Sequence, residues 1–128
     1  MRVVQIIGAR APLHITAVGK IFLAEDGPEQ WQDYARRTGL PRFTENTLTD
    51  PEQLAKELER IRRHGYAFDN EEAEKGVSCI GAGIYNDENR LVAGLSVSAP
   101  SDRLDRAWAA QVQQTARNIS RAIGHQRQ

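Results

Sequence analysis

Apolar side chains change their spacing several times along this chain, and each change marks an element. Residues 2–7 are rich in β-branched side chains and stop at a Gly/Pro loop, "GARAP", which predicts an opening strand. From residue 16 to about 25 the pattern becomes helical. Thr16 is placed to cap "AVGKIFLAE", whose apolar side is Val18, Ile21 and Phe22, with Lys20 read as a solvated position. Asp26-Gly27-Pro28 breaks that helix and begins another, because proline suits the first helical position. Trp31, Tyr34 and Ala35 follow at helical spacing, and Gly39 then Pro41 end the segment. "RFTENTLT" reads as an extended connector. Asp50-Pro51-Glu52 opens a third helix with Leu54, Leu58 and Ile61 on one face, closed by His64-Gly65.

The second half alternates differently. "YAFD" predicts a short strand, and an acid-rich turn follows it. "VSCIGAGIY" and "LVAGLSVSA" are separated by "NDENR", a turn-forming cluster, so they form a β-hairpin. Ser101 or Asp102 would then cap a long last helix with Leu104, Trp108, Val112, Ile119 and Ile123 on one stripe, stopped at Gly124. Strand, helices, strands, helix, with a hairpin at the centre, is an α+β order built on an antiparallel sheet. No internal repeat, low-complexity segment or linker interrupts it.

Length and charge narrow the function. A chain of 128 residues is one domain with one core. Lys+Arg and Asp+Glu are both 17, so the net charge is zero, whereas a duplex-DNA grip draws on a basic excess. Specific DNA binding by this chain alone is not expected. No apolar run approaches the ~20 residues of a membrane span, and "MRVVQIIGARAP" lacks a signal-peptide pattern. The single cysteine fits a reducing cytoplasm. His14, His64 and His125 share no ligand spacing with one another or with Cys79, so no metal and no cofactor is expected.

The candidate chemistry gathers around three features. Cys79 follows the acidic turn, with no histidine near it in sequence to make a thiolate. A reactive thiol, a metal ligand and a quiet core residue are the readings its position opens, and the core residue starts ahead. Ser96 and Ser98 share one face of a strand, and small hydroxyls without a charged neighbour suit a small polar cavity. Gly81, Gly83 and Gly94 within strands imply a bulge, a tight helix contact or a close ligand. The start of the first helix, "TAVGK", offers free amides to an anion but lacks the glycine spacing and hydroxyl of a phosphate loop.

"PLHITAVGKIFLA", "LERIRRHGYAFDNEEAEKGVSCIGAGIYNDENRLVAGLSVSAPSDRL" and "ARNISRAIG" together resemble the C-terminal effector-binding domain of IclR-type bacterial transcription regulators. The resemblance spans nearly the whole chain. It implies a GAF-like sheet packed with helices, shortened at its N-terminus, that senses a small organic acid. By that resemblance Ala17, Val18, Asp69, Val77, Cys79, Ser96 and Ser98 line the ligand pocket, with Val3 and Ala11 as apolar wall. It further implies assembly as a dimer or tetramer, and DNA contact only through an N-terminal winged helix-turn-helix domain that this chain lacks. Relatives often carry glycine at the position of Ala17 and a smaller residue at that of Val18, so this pocket would be narrowed or its ligand shifted. Two other readings stand beside the sensor: a small enzyme using Cys79 with Asp69, and a structural dimerisation domain.

Overall fold

The computed structural model describes residues 11–126. The strand expected over residues 2–7, with Val3, lies outside them. Among the described residues the framework is a three-stranded antiparallel sheet, β1 (Tyr66–Asn70), β2 (Val77–Tyr85) and β3 (Leu91–Pro100), in that spatial order. The hairpin turn between β2 and β3 is held by the Asn86 side chain, which accepts from the Glu88 and Arg90 amides.

The helices precede and follow the sheet, and their ends are set by local chemistry. α1 (Ala17–Asp26) begins after Thr16, whose hydroxyl accepts from the Gly19 amide at 2.9 Å. α2 (Pro28–Thr38) starts on proline and stops at Gly39, in the left-handed conformation at φ 72°. α3 (Pro51–His64) repeats the design, with Asp50 accepting from the Glu52 amide and Gly65 left-handed at its end. The connector between α2 and α3 is bent through a turn rather than extended, because the Thr47 hydroxyl accepts from the Phe43 and Thr44 amides.

α4 (Trp108–Ala122) begins several residues later than the cap expected at Ser101 or Asp102. Ser101 is tied back to the sheet instead. Its amide donates to the Gly76 carbonyl, and its hydroxyl meets that of Ser78 at 2.8 Å. Leu104 therefore lies before the helix. The buried stripe of α4 is Ala109, Val112, Ala116 and Ser120, whereas Ile119 and Ile123 are 36% and 48% exposed.

The described helices pack on both sides of the sheet. Phe68, Ile80, Ala82 and Ile84 face α4 and pack with Ala109, Val112 and Ala116. Ala67 and Cys79 face the other way, toward α1, which is itself covered by α2 and α3. A helix sandwiched in this manner is buried nearly all round, and α1 buries Ala17, Gly19, Lys20, Ile21, Leu23 and Ala24. Lys20 is thus not solvated but 0% exposed, while Val18 and Phe22 are only half-buried.

Candidate functional site

Strand register assembles the site. Asp69 pairs with Cys79 across β1 and β2, and Cys79 pairs with Ser98 across β2 and β3. The three side chains therefore form one polar row across the face that α1 covers. The next row is Ala67, Gly81 and Ser96, and the one after it sets Gly83 opposite Gly94. Val77, buried, ends the row pattern opposite Pro100.

The glycines explain how α1 comes so close. A β-carbon on Gly81 would stand 3.1 Å from Ala17 Cβ, and one on Gly94 would collide with the Val18 side chain. The first turn of α1 thus lies directly over the middle strand and β3, and the glycines serve a tight helix contact. Gly83 has a different cause, since a β-carbon there would strike the Leu91 and Tyr85 side chains. Ala17 and Val18 are the first residues of α1, so their amides have no acceptor within the helix. Positive partial charge at that end faces the polar row.

Cys79 Sγ lies 3.0 Å from Ser98 Oγ. Burial pushes the Cys79 thiol up from its ordinary value; the Ser98 hydroxyl opposes this, and the Asp69 carboxylate adds to it. The thiol is thus protonated at neutral pH and donates to Asp69, which can only accept when ionised. That leaves the sulfur free to accept from Ser98. Nothing in this arrangement makes a thiolate, so the enzymatic reading of Cys79 with Asp69 has no activated nucleophile.

Asp69 is 3% exposed and its carboxyl is raised to about 6. Desolvation is the main cause, opposed by the Glu72 amide, which donates to Oδ1 at 2.7 Å. The Glu72 charge raises it further, while Lys20 and the Cys79 thiol lower it.

Sequence reasoning did not find the charged cluster behind Asp69. The Lys20 ammonium donates to Glu57 Oε2 at 2.7 Å, to the Phe68 carbonyl at 2.6 Å and to Glu72 Oε1 at 2.9 Å. Glu57 also accepts two bonds from Arg60. Burial alone would raise Glu57, but Lys20 and then Arg60 outweigh it and hold the carboxyl below its ordinary value. Glu72 Oε2 accepts from the Asn70 amide, so this cluster fixes the turn that carries Asp69. The one available signal was that Lys20 is the sole charge in "AVGKIFLA".

The same turn is clasped from outside. Asn46 Nδ2 donates to the Asn70 carbonyl at 2.9 Å, Thr44 to that of Glu71 at 2.5 Å, and Thr47 to that of Glu72 at 2.7 Å. Ser96 and Ser98, by contrast, stand exposed on β3, an edge strand among the described residues, and Ala11 is exposed as well. The structure therefore brings Ala17, Val18, Asp69, Cys79, Ser96 and Ser98 to one face, with Val77 at its margin.

An antiparallel sheet with helices on both faces, and a polar row beneath a helix start, defines an α+β domain with a candidate site on one face of its sheet. The chain belongs to the IclR family of bacterial transcriptional regulators: residues 1–125 match the family described as bacterial transcriptional regulator IclR C-terminal. It is 42% identical over 122 residues to the HTH-type transcriptional repressor AllR of Escherichia coli K12, covering 92% of this chain and 45% of that protein. The chain thus spans about half the length of the curated relatives it matches, and these are repressors, not enzymes. Among solved structures, the C-terminal domain of the E. coli regulator KdgR is 34% identical with a TM-score of 0.83, covering 92% of this chain and 74% of that one. An IclR homologue from Microbacterium hydrocarbonoxydans, complexed with 4-hydroxybenzoate, is 26% identical with a TM-score of 0.87, covering 96% and 50%. The domain is regulatory rather than catalytic. No helix among the described residues is long and apolar enough to cross a membrane.

Proposed function

We propose that this domain binds a small organic acid on the face formed by Asp69, Cys79 and Ser98, and that occupancy modulates DNA binding by the full-length regulator. The row that strand pairing builds across β1, β2 and β3 carries this reading, and the hydroxybenzoate held by a relative supports the ligand class. Ser96 and Ser98 donate to the carboxylate together with the amides of Ala17 and Val18, and Val77 gives an apolar edge. Asp69 addresses a hydroxyl or hydrate at the other end of the acid. DNA contact belongs to a winged helix-turn-helix domain outside this chain. Self-association as a dimer or tetramer fits the exposed Val92 and Val97 of β3. Signalling follows only if the acid favours one of two conformations of the regulator, since equal affinity shifts nothing.

Thermal shift and calorimetry with pyruvate, lactate, glycolate and 4-hydroxybenzoate test this reading, because a ligand held only by the folded state raises its stability. A hydrogen bond to a charged group contributes roughly 1.5–3 kcal/mol. Ser98→Ala is therefore expected to weaken binding by on the order of tenfold to a hundredfold with the fold intact. Asp69→Asn is expected to change which acid is preferred. Unaltered binding by both Ser96→Ala and Ser98→Ala would move the carboxylate elsewhere. A chain that binds none of these acids would be left with the dimerisation role alone.

A further inference from the structure

The buried charges beside the site do not sum to zero. On the side of α1 and α3, Lys20 and Arg60 balance Glu57 and Glu72, through bonds of 2.7 to 2.9 Å from each cation. An ammonium has three N–H donors, and all three of Lys20 are used, on Glu57, the Phe68 carbonyl and Glu72. None is left to turn toward Asp69. Among the described residues Asp69 is therefore the surplus negative charge of a largely buried cluster, satisfied by the Glu72 amide and the Cys79 thiol. It also stands in the same row as Ser98, two strands away, which is about 10 Å between backbones and less between side chains.

We propose that Asp69 binds a proton when a small carboxylate occupies the face beside Ser96 and Ser98, so that the domain takes up acid and proton together. This inference rests on the acid-binding reading above and adds how the site tolerates a second anion. Two like charges about 7 Å apart, at an effective permittivity near 20, change proton affinity by some tens of fold. A carboxyl already raised to about 6 by burial then stays protonated at neutral pH while the acid is bound. The proton comes from solvent and goes to the Asp69 carboxyl; no other bond changes. Protonated, Asp69 becomes an O–H donor, and the site selects an acid with an acceptor oxygen beyond its carboxylate. Among the described residues, the other ionisable groups facing Asp69 are Lys20 on α1, Glu72 in the turn and Cys79 on β2, with Glu57 and Arg60 on α3 behind Lys20. The thiol already holds its proton.

Calorimetry of the chain with pyruvate, lactate, glycolate and 4-hydroxybenzoate, repeated at pH 7 in buffers of different ionisation heat, counts the protons. More than about half a proton taken up per acid is expected, with affinity falling up to about tenfold per pH unit above pH 6. Asp69→Asn keeps an acceptor for the Glu72 amide and is expected to bind with no proton uptake and no pH dependence between pH 6 and 8. Carbon-detected titration of the Asp69 carboxyl should show its midpoint moving up when the acid is added. Binding without proton uptake by the parent, or with the same uptake by Asp69→Asn, overturns this inference and leaves acid binding standing. No binding of any of the acids overturns the acid-sensing reading and this inference with it.

Discussion

The two faces of the sheet are held by different physics. Toward α4, Phe68, Ile80, Ala82 and Ile84 meet Ala109, Val112 and Ala116, and the contact is apolar throughout its centre. Ser120 is a buried polar residue there, and its hydroxyl is committed to the Ala116 carbonyl and the Tyr85 amide. Toward α1, small residues bring the helix onto the strands, and buried charges lie alongside. The α4 face tolerates loss in proportion to the volume removed. On the α1 face, losing one member strands the others, because a buried charge without its partner keeps its full desolvation cost. The α4 side is a packing surface, and the side proposed to bind an acid is an electrostatic device.

The sharpest way to break this contrast is Lys20→Met. It leaves Glu57 and Glu72 facing each other without their shared cation and is expected to cost about 3–5 kcal/mol in denaturant unfolding. Ile80→Ala, at the centre of the opposite face, is expected to cost about 2–5 kcal/mol. The mechanisms separate on second substitutions: adding Glu57→Gln and Glu72→Gln to Lys20→Met should recover much of the loss. Failure to recover any would place Lys20 among ordinary packing residues.

The pH dependence of stability comes next. Asp69 is raised in the folded state from an ordinary value of 3.8 to about 6. Between those values the folded chain binds the proton and the unfolded chain has lost it. The contribution of Asp69 to stability is therefore fully present below pH 3.8 and is lost as pH rises through about 6. Relative to Asp69→Asn, the parent should lose roughly 2–3 kcal/mol between pH 4 and pH 7. Glu57, held low, works in the opposite sense, favouring the fold above its ordinary value and failing as pH falls. Comparing the parent with the Asp69 variant at each pH cancels that term. A parallel pair of stability curves would remove Asp69 from the account.

The smallest expected effect is at the start of α1. Thr16→Ala removes the acceptor for the Gly19 amide and should cost about 1 kcal/mol, read as a lower denaturation midpoint. Because the freed amide adjoins those of Ala17 and Val18, acid binding should change by less than it does in Ser98→Ala.

Helix ends were legible because their causes lie within a few residues. Thr16, Pro28, Gly39, Asp50, Pro51 and Gly65 act where the sequence shows them. The hairpin and the pairing of Ser96 and Ser98 on one face followed from strand alternation. The failures share one cause, partners distant in sequence. Ser101 has the chemistry of a helix cap, but Gly76 and Ser78 hold it, so α4 begins only at Trp108, after a turn in which the Asp105 side chain accepts from the Ala107 amide. Lys20 looks solvated on its own helix because Glu57 and Glu72, which bury it, come 37 and 52 residues later. Cys79 and Ser98 were legible one at a time and Asp69 through the family resemblance, but their line across three strands depended on register.

The grip of Asn46, Thr44 and Thr47 on three consecutive carbonyls, those of Asn70, Glu71 and Glu72, has a consequence for local opening. Beyond Asn70, the last residue of β1, neither segment carries regular structure, and each would fray quickly alone. Joined at three points, and pinned from inside through Glu72 and Lys20, they open together or not at all. Amides of Thr44, Thr47 and Glu72 should therefore exchange their hydrogens with a common protection factor, well above that of the hairpin turn at Asp87 to Asn89. An irregular stretch of chain thus forms a single cooperative unit, with the strength of a small piece of sheet.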